Sequence, residues 1–314
     1  MITREDITPV LEKCRLSDAS ADELLEHANN PAIHADLDRL MLYAHFFSDW
    51  YGSAYHPRIT SRKVRDCTVF CIEPECGSTT WVVESGRELL IIDTGFPVYQ
   101  NELLNVLREL FPGFDARKKT LVLTHMDMDH AGLLSCFDAI YMSKTSLDDF
   151  RRRAQGKPNL RECVPSRASY YRITSIFSRD CVADTANMYA VSDISPVAGK
   201  DLSLLGHFQM AGLDFEVYET SGGHVEGAII LIEHSYGLVF CGDTYVNTDM
   251  RKEQTEFIKT SMSIMGSLNA DSVKAKRERA AMFAMLEGGK WIVCGGHGGF
   301  DEYPKVSKEG CESE

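Results

Sequence analysis

The chain has 314 residues, of which 44% are hydrophobic and 25% charged, and its formal net charge is −13. This composition is that of an ordinary globular protein and excludes a disordered or fibrous one. Because the chain is acidic, it has no general electrostatic attraction to nucleic acid or to an anionic membrane, and we expect neither as a partner. Four arginines lie close together, and we interpret them as solvent-facing helix residues: Arg151, Arg152, Arg153 and Arg161.

The N-terminus lacks the basic and apolar segments of a signal peptide, and no apolar run has the length of a membrane-spanning helix. We therefore expect a cytoplasmic protein whose ten cysteines are reduced thiols. The spacing of Cys67, Cys71 and Cys76 matches neither a zinc-ribbon nor a redox motif. We interpret these three as small, mostly buried hydrophobic residues.

Residues 1–60 are predicted to form a helical N-terminal extension, because apolar residues recur at helical spacing over 19–27 and 33–47. The end of this segment is rich in aromatic residues, namely Phe46, Phe47, Trp50, Tyr51 and Tyr55. Packing of this extension on the main domain is the favoured interpretation. A homodimer contact is the alternative.

From residue 67 onward the pattern changes to short β-rich runs, and residues 61–314 are predicted to form one α/β domain. Strands are predicted over 69–72, 79–84, 88–92, 120–123, 139–142, 202–210, 213–219, 228–232, 238–241 and 291–294. Helices are predicted over 98–110 and 271–286. Residues from about 144 to 200 are polar and rich in arginine, and we interpret them as an insert of two or three helices.

The two halves of this domain share a weak internal repeat. In each half an apolar strand ends in Asp-Thr, at Asp93 and at Asp243, and a later apolar strand ends at a histidine, His125 or His297. The repeat predicts two packed sheets with outer helices, with polar residues gathered at one edge of the sandwich.

The segment 124–132 contains four candidate metal ligands directly after a buried strand: His125, Asp127, Asp129 and His130. Alternate side chains of an extended segment point the same way, so His125 and Asp127 can share one ion. Asp129 and His130 can then serve a second ion. A helix N-terminus capped by Asp129 is the competing interpretation, but four ligand-type residues within six positions would be an improbable loop composition.

In this segment the chain resembles the metallo-β-lactamase superfamily, whose motif is H-x-H-x-D-H, and the resemblance extends over about residues 67–300. Other segments resemble the remaining family motifs in the right order: 90–95 with Asp93, 221–228 with His224, 240–243 with Asp243, and 295–298 with His297. The resemblance implies an αββα sandwich in which Asp93 orders the active-site loop.

The resemblance also implies a site for two divalent ions. The first ion would be held by His125, Asp127 and His224, and the second by Asp129, His130 and His297. Asp243 would bridge the two.

Asp127 stands where the commonest family pattern has a histidine. Each ion would then have two histidines and one terminal carboxylate, which is the ligand set of non-haem iron sites and also suits manganese. Zinc accepts aspartate as well, so we expect Fe, Zn or Mn. The nearest pattern is the H-x-E-x-D-H of flavodiiron and related di-iron oxygen-binding proteins, but the stretch after His297 is too short for their flavodoxin domain.

The resemblance implies a hydrolase for a small-molecule ester or phosphodiester, with a metal-bridging hydroxide as nucleophile and with Asp129 and Asp243 as catalytic carboxylates. Lys144 and the arginines at 151–153 are hypothesised to meet an anionic substrate. The alternative is a di-iron protein that binds or reduces oxygen or nitric oxide and depends on an external flavoprotein or rubredoxin. A non-catalytic scaffold is disfavoured, since it has no need of all seven ligands.

Overall fold

The computed structural model describes residues 1–50, 52–163 and 165–305 of the chain. Three helices come first: α1 (Arg4–Cys14), α2 (Asp18–Ala28) and α3 (Leu37–Ser48). Five more follow among the strands: α4 (Gln100–Leu110), α5 (Lys144–Ala154), α6 (Pro165–Ser178), α7 (Lys252–Met265) and α8 (Ser272–Met285). Tyr51 and the last nine residues of the predicted domain lie outside the described residues.

The first sheet has seven strands that follow one another in sequence order. They are β1 (Arg58–Val64), β2 (Cys67–Glu73), β3 (Thr80–Ser85), β4 (Glu88–Ile92), β5 (Lys118–Val122), β6 (Ala139–Met142) and β7 (Met188–Ala190). Strands β1 to β4 pair antiparallel, whereas β4 to β7 pair parallel. The parallel part brings the carboxyl ends of β4 and β5 to the same edge.

The second sheet has six strands in the order β13-β12-β11-β10-β9-β8. They are β8 (Leu202–Met210), β9 (Leu213–Thr220), β10 (Ile229–Glu233), β11 (Leu238–Phe240), β12 (Trp291–Cys294) and β13 (Phe300–Tyr303). Among the described strands of this sheet, β11 and β12 alone pair parallel. This parallel pair is the counterpart of β4 and β5 in the first sheet.

The two sheets pack face to face over a core in which Trp81 and Leu90 meet Phe215 and Phe240. Helix α4 covers the outer face of the first sheet, with Leu103 and Leu107 buried, and α8 covers the outer face of the second. The predicted αββα sandwich with a helical N-terminal extension is therefore confirmed.

The N-terminal helices share a separate core with α6 and α7. Tyr43 of α3 contacts Phe177 of α6 and Phe257 of α7, with ring centroids 5.9 Å apart in both pairs. Of the aromatic residues at the end of the extension, Phe46, Phe47 and Tyr55 are buried within this core. The extension thus packs on the helices of its own chain.

Three of the described strands were not predicted, namely β1, β7 and β13, and all three lie at sheet edges. β1 and β13 carry mostly polar, partly exposed residues. β7 has only three residues and lies in the segment that was interpreted as helical, which contains α5 and α6 as well. Helix α7 was not predicted. Helix α1 lies within the predicted helical extension but outside its two periodic runs; it contains Pro9, which usually interrupts a helix, and begins with a capping box between Thr3 and Asp6. Among the described residues, no helix is long and apolar enough to cross a membrane.

Candidate metal centre

The candidate ligands lie just beyond strand ends at one edge of the sandwich. His125 follows β5, Asp243 follows β11, and His297 follows β12. His224 lies in the loop between β9 and β10. The pairing of β4 with β5 and of β11 with β12 brings these segments together, so the structure gathers all seven side chains predicted from the sequence.

Four of the seven surround what we name the second metal position: Asp129, His130, His297 and Asp243. Nε2 of His130 lies 3.3 Å from Oδ1 of Asp243 and 3.8 Å from Oδ2 of Asp129. Nε2 of His297 lies 3.5 Å from each of the same two oxygens. A tetrahedral ion with bonds of about 2.0–2.2 Å separates its ligands by about 3.3–3.6 Å, so this group fits a metal ion.

The first metal position is formed by His125, Asp127 and His224 together with Asp243. Oδ2 of Asp127 lies 3.5 Å from Nε2 of His125 and 3.1 Å from Nε2 of His224. Nε2 of His224 is also 3.4 Å from Oδ2 of Asp243. The two oxygens of Asp243 therefore face different positions, an arrangement in which this carboxylate would bridge two ions.

Several buried polar atoms at this centre have no hydrogen-bond partner among the described residues, including Nε2 of His125, Nε2 of His130 and Oδ1 of Asp243. Buried polar atoms are nearly always paired, so unpaired ones that converge on one point indicate a ligand. All three atoms face the positions described above, which is the second observation in favour of metal binding.

Contacts behind the ligands fix the histidine rings. Nδ1 of His130 is 2.8 Å from Oδ2 of Asp93, and Nδ1 of His125 is 3.0 Å from Oγ1 of Thr124. Asp93 also accepts from the backbone and the hydroxyl of Thr124. Its φ of 56° is unusual for a residue other than glycine, and such backbone strain is concentrated at functional sites. Nδ1 of His224 meets Oδ1 of Asn269 at 3.1 Å.

The carboxylates make the centre strongly attractive to positive charge. Burial opposes protonation of His130, yet Asp93, Asp129 and Asp243 raise its pKa well above the usual value. Burial likewise opposes the charged form of His297, but Asp243 and Asp129 raise its pKa to about 9. The same negative potential would attract divalent cations.

The close approach of Gly296 to Asp243 explains the glycine next to His297. A Cβ at position 296 would lie 1.9 Å from Oδ1 of Asp243. The backbone NH of Gly296 also donates to the carbonyl of Gly242, at 2.7 Å. Only glycine therefore allows the two ligand-bearing loops to meet here.

Arg161 is the functional residue that the sequence interpretation missed. Its Nε donates to Oδ1 of Asp127 at 2.8 Å, and its Nη2 donates to Oδ2 of the same carboxylate. The side chain is 9% exposed, so the prediction of a solvent-facing arginine was wrong at this position. Burial opposes ionisation of Asp127, but the Arg161 guanidinium and the imidazoles of His125 and His224 hold its pKa well below the usual range.

The ligands form the floor of a pocket whose wall is mostly apolar. Its lining includes Asp127, Asp129, His224, Asp243 and His297 at the floor, and Phe96, Met128, Tyr170, Tyr171, Phe257, Ile258, Met265 and Leu268 around them. Two guanidiniums reach this pocket, Arg161 and Arg167. Lys144 is instead paired with Asp148 on the surface, and Arg153 is paired with Asp180.

Comparisons with known proteins agree with this description. A family model described as the metallo-beta-lactamase superfamily matches residues 74–141, which include the segment from His125 to His130. A search of curated proteins found no match. Together with the observed fold, the family match confirms the resemblance to the metallo-beta-lactamase superfamily, whose fold this chain has.

The chain is similar to several solved structures at low sequence identity. A hydrolase of the beta lactamase superfamily, AbOPH, is 15% identical with a TM-score of 0.50, and the alignment covers 77% of this chain and 90% of that one. A metallo-beta-lactamase from Pontibacter korlensis is 13% identical with a TM-score of 0.45, over 77% and 93%. A flavo di-iron protein mutant from Thermotoga maritima is 13% identical with a TM-score of 0.46, over 78% and 58%. A shared fold does not fix the reaction.

Proposed function

We propose that this protein is a metal-dependent hydrolase that cleaves an ester or phosphodiester bond. The observation that carries the proposal is the carboxylate of Asp243, whose two oxygens face two groups of ligands at the floor of an open pocket. Two divalent ions held there would supply a hydroxide nucleophile and would stabilise the charge that develops on the substrate oxygen.

The chain itself contributes binding, orientation and exclusion of water. His125 and His130 are fully buried, whereas Asp127, Asp129 and Asp243 are partly accessible from the pocket. The ligands are therefore held rigidly on one side and face the substrate on the other. The aromatic and aliphatic wall favours a substrate with an apolar part and limits access of bulk water.

The position of Arg167 is an argument for an anionic substrate. Its side chain is largely buried in the pocket wall, and it donates to the carbonyl of Asn269. Among the described residues, no carboxylate lies within ion-pair distance of it, whereas Arg161 is occupied by Asp127. Burial and the neighbouring charge of Arg161 lower the pKa of Arg167, so an anion bound between the two guanidiniums would be favoured.

The test begins with protein stripped of metal and reloaded separately with Zn²⁺, Mn²⁺ or Fe²⁺ under argon. Turnover of bis-p-nitrophenyl phosphate by one of these forms, with loss of activity in Asp243→Asn, is the expected result. Arg167→Met should raise KM about tenfold for this anionic diester and leave KM for a neutral p-nitrophenyl ester unchanged. Absence of turnover of phosphodiesters, carboxylic esters, thioesters and lactones in every metal form would contradict the proposal.

A di-iron redox protein is the second candidate, and Asp127 is the observation that favours it. With Asp127 as a ligand, each position has two histidines and a terminal carboxylate, as non-haem iron sites do. Its pairing with Arg161 reduces the charge that this carboxylate offers an ion. Anaerobic purification with metal analysis and a visible spectrum after oxygen exposure separates the candidates: two irons with an oxo-bridge band support the redox protein.

A further inference from the structure

The insert over residues 144–200 places the guanidinium of Arg161 beside the first metal position. Besides its two contacts with the carboxylate of Asp127, Arg161 donates through Nη1 to the carbonyls of His224, at 3.0 Å, and Leu268, at 3.2 Å. Its Nη2 lies 3.0 Å from Nε2 of His224. The guanidinium therefore touches two of the atoms that would hold the first ion.

The turn that carries Arg161 is fixed, so this cation is part of the site. The backbone NH of Leu160 donates to Oδ1 of Asp149 at 2.9 Å. Asn159 and Glu162 each donate a backbone NH to the other's side chain, both at 2.9 Å. These contacts on both sides of Arg161 hold the guanidinium at Asp127 without help from any ligand.

The pairing changes the charge of the first position. Asp127 and Arg161 together carry no net charge. The commonest superfamily motif has a histidine in place of Asp127, and its imidazole is neutral as well. In the second position Asp129 keeps its full charge, because among the described side chains no guanidinium pairs with it. A dication therefore meets less negative charge at the first position, and its attraction there is weaker.

We propose that Asp127 and Arg161 act as one neutral ligand unit in place of a histidine, and that the charge of Arg161 makes the first metal position the weaker of the two. The second position then fills first. This inference depends on metal binding at the centre and is independent of whether the reaction is hydrolysis.

The experiment measures binding of Zn²⁺ to metal-stripped protein by calorimetry with a competing chelator. Wild-type protein should bind one ion tightly and a second at least about tenfold more weakly. The weak step should vanish in His224→Ala, and the tight step should vanish in His297→Ala. These two variants assign each step to its position before any change is made to the pair.

Substitutions of the pair then separate charge from geometry. Arg161→Met should tighten the weak step at least about tenfold, and Arg161→Lys, which keeps the charge, should leave it within about threefold. Asp127→His should weaken that step at least about tenfold, because a buried guanidinium is left beside the ion. Adding Arg161→Met to Asp127→His should recover at least tenfold.

The affinity of the tight step, at the second position, is the control for correct folding. It should stay within about threefold of wild type in every variant of the pair. The inference is overturned if the double variant binds the ion at the first metal position no better than Asp127→His does. Arg161 would then act only by shaping the loop. The inference is also overturned if wild-type protein binds two ions with equal affinity, or if Arg161→Lys behaves like Arg161→Met.

Discussion

The two metal positions share Asp243 but are supported by different parts of the molecule. The second position rests on strand ends of the sandwich, where Asp93 holds His130 and the backbone of Thr79 donates to the carbonyl of Gly296. In the first position, His125 is held by Thr124 after β5, but Asp127 and His224 depend on segments outside the two sheets. Arg161 comes from the insert, and Asn269 comes from the loop between α7 and α8.

This difference shows how one fold can keep a metal centre and still vary its properties. The contacts behind the second position are part of the packed core, so a change there disturbs the fold. The contacts behind Asp127 and His224 of the first position are made by an insert and a connecting loop, which tolerate change more easily. We therefore expect the chemistry to be adjusted at the first position, and three predictions test the contrast.

The largest effect is expected where the two positions meet. Asp243→Ala removes one oxygen from each position, so most of the metal should be lost from both. Metal analysis after dialysis against a weak chelator measures this loss. His56→Ala, which changes an exposed histidine that neither belongs to the ligand groups nor lines the pocket, should keep the wild-type metal content. Retention of two ions by Asp243→Ala would show that the carboxylate does not bridge.

A smaller effect, confined to one position, is expected from Asn269→Ala. This change removes the group that contacts Nδ1 of His224, and loss of such a contact behind a histidine ligand commonly costs 10- to 100-fold in affinity. We expect about tenfold weaker binding at the first position and unchanged binding at the second, measured by the same Zn²⁺ titration. Asn101→Ala, on the exposed side of α4, is the matched control. Equal weakening of both positions would contradict separate support.

The sandwich could be predicted from sequence because its strands are apolar and its motifs stand at strand ends. The observed bounds of β4, β6, β8 and β12 coincide with the predicted runs. The repeat of Asp-Thr and His at strand ends also indicated which residues would meet, since parallel strands bring their carboxyl ends to one edge. Edge strands β1 and β13 escaped prediction because their residues are mostly polar and half-exposed, whereas edge strand β8 alternates buried and exposed residues and was predicted.

The role of Arg161 could not be predicted in this way. It lies 34 positions from Asp127 along the chain, in a polar segment without periodicity, and its neighbours Arg151 and Arg152 are ordinary surface residues. Its placement depends on the turn at 159–162 and on α5, which are tertiary features. The carboxylate of Asp127 was the sequence feature that could have indicated such a cation. A buried aspartate that replaces a neutral ligand is costly unless a cation pairs with it.

The third prediction concerns the turn that carries Arg161 and is measured in the free energy of unfolding. Asp149 accepts the backbone NH of Leu160, and its other oxygen has no partner among the described residues. Burial raises the pKa of Asp149 to about 6, above the ordinary value of 3.8. Its contribution to stability is therefore present below about pH 4 and is lost as the pH rises through 6.

Asp149→Asn keeps the acceptor for Leu160 but cannot ionise. The variant should therefore be more stable than wild type by about 1–3 kcal/mol at pH 8, and the difference should vanish near pH 4. Urea unfolding at the two pH values measures this. Asp148→Asn breaks only an exposed ion pair with Lys144, so its effect should stay within about 1 kcal/mol at pH 8. If Asp149→Asn were less stable than wild type at pH 8, the ionised carboxylate would be supporting the insert, and the first metal position would rest on a charge network larger than the Asp127–Arg161 pair.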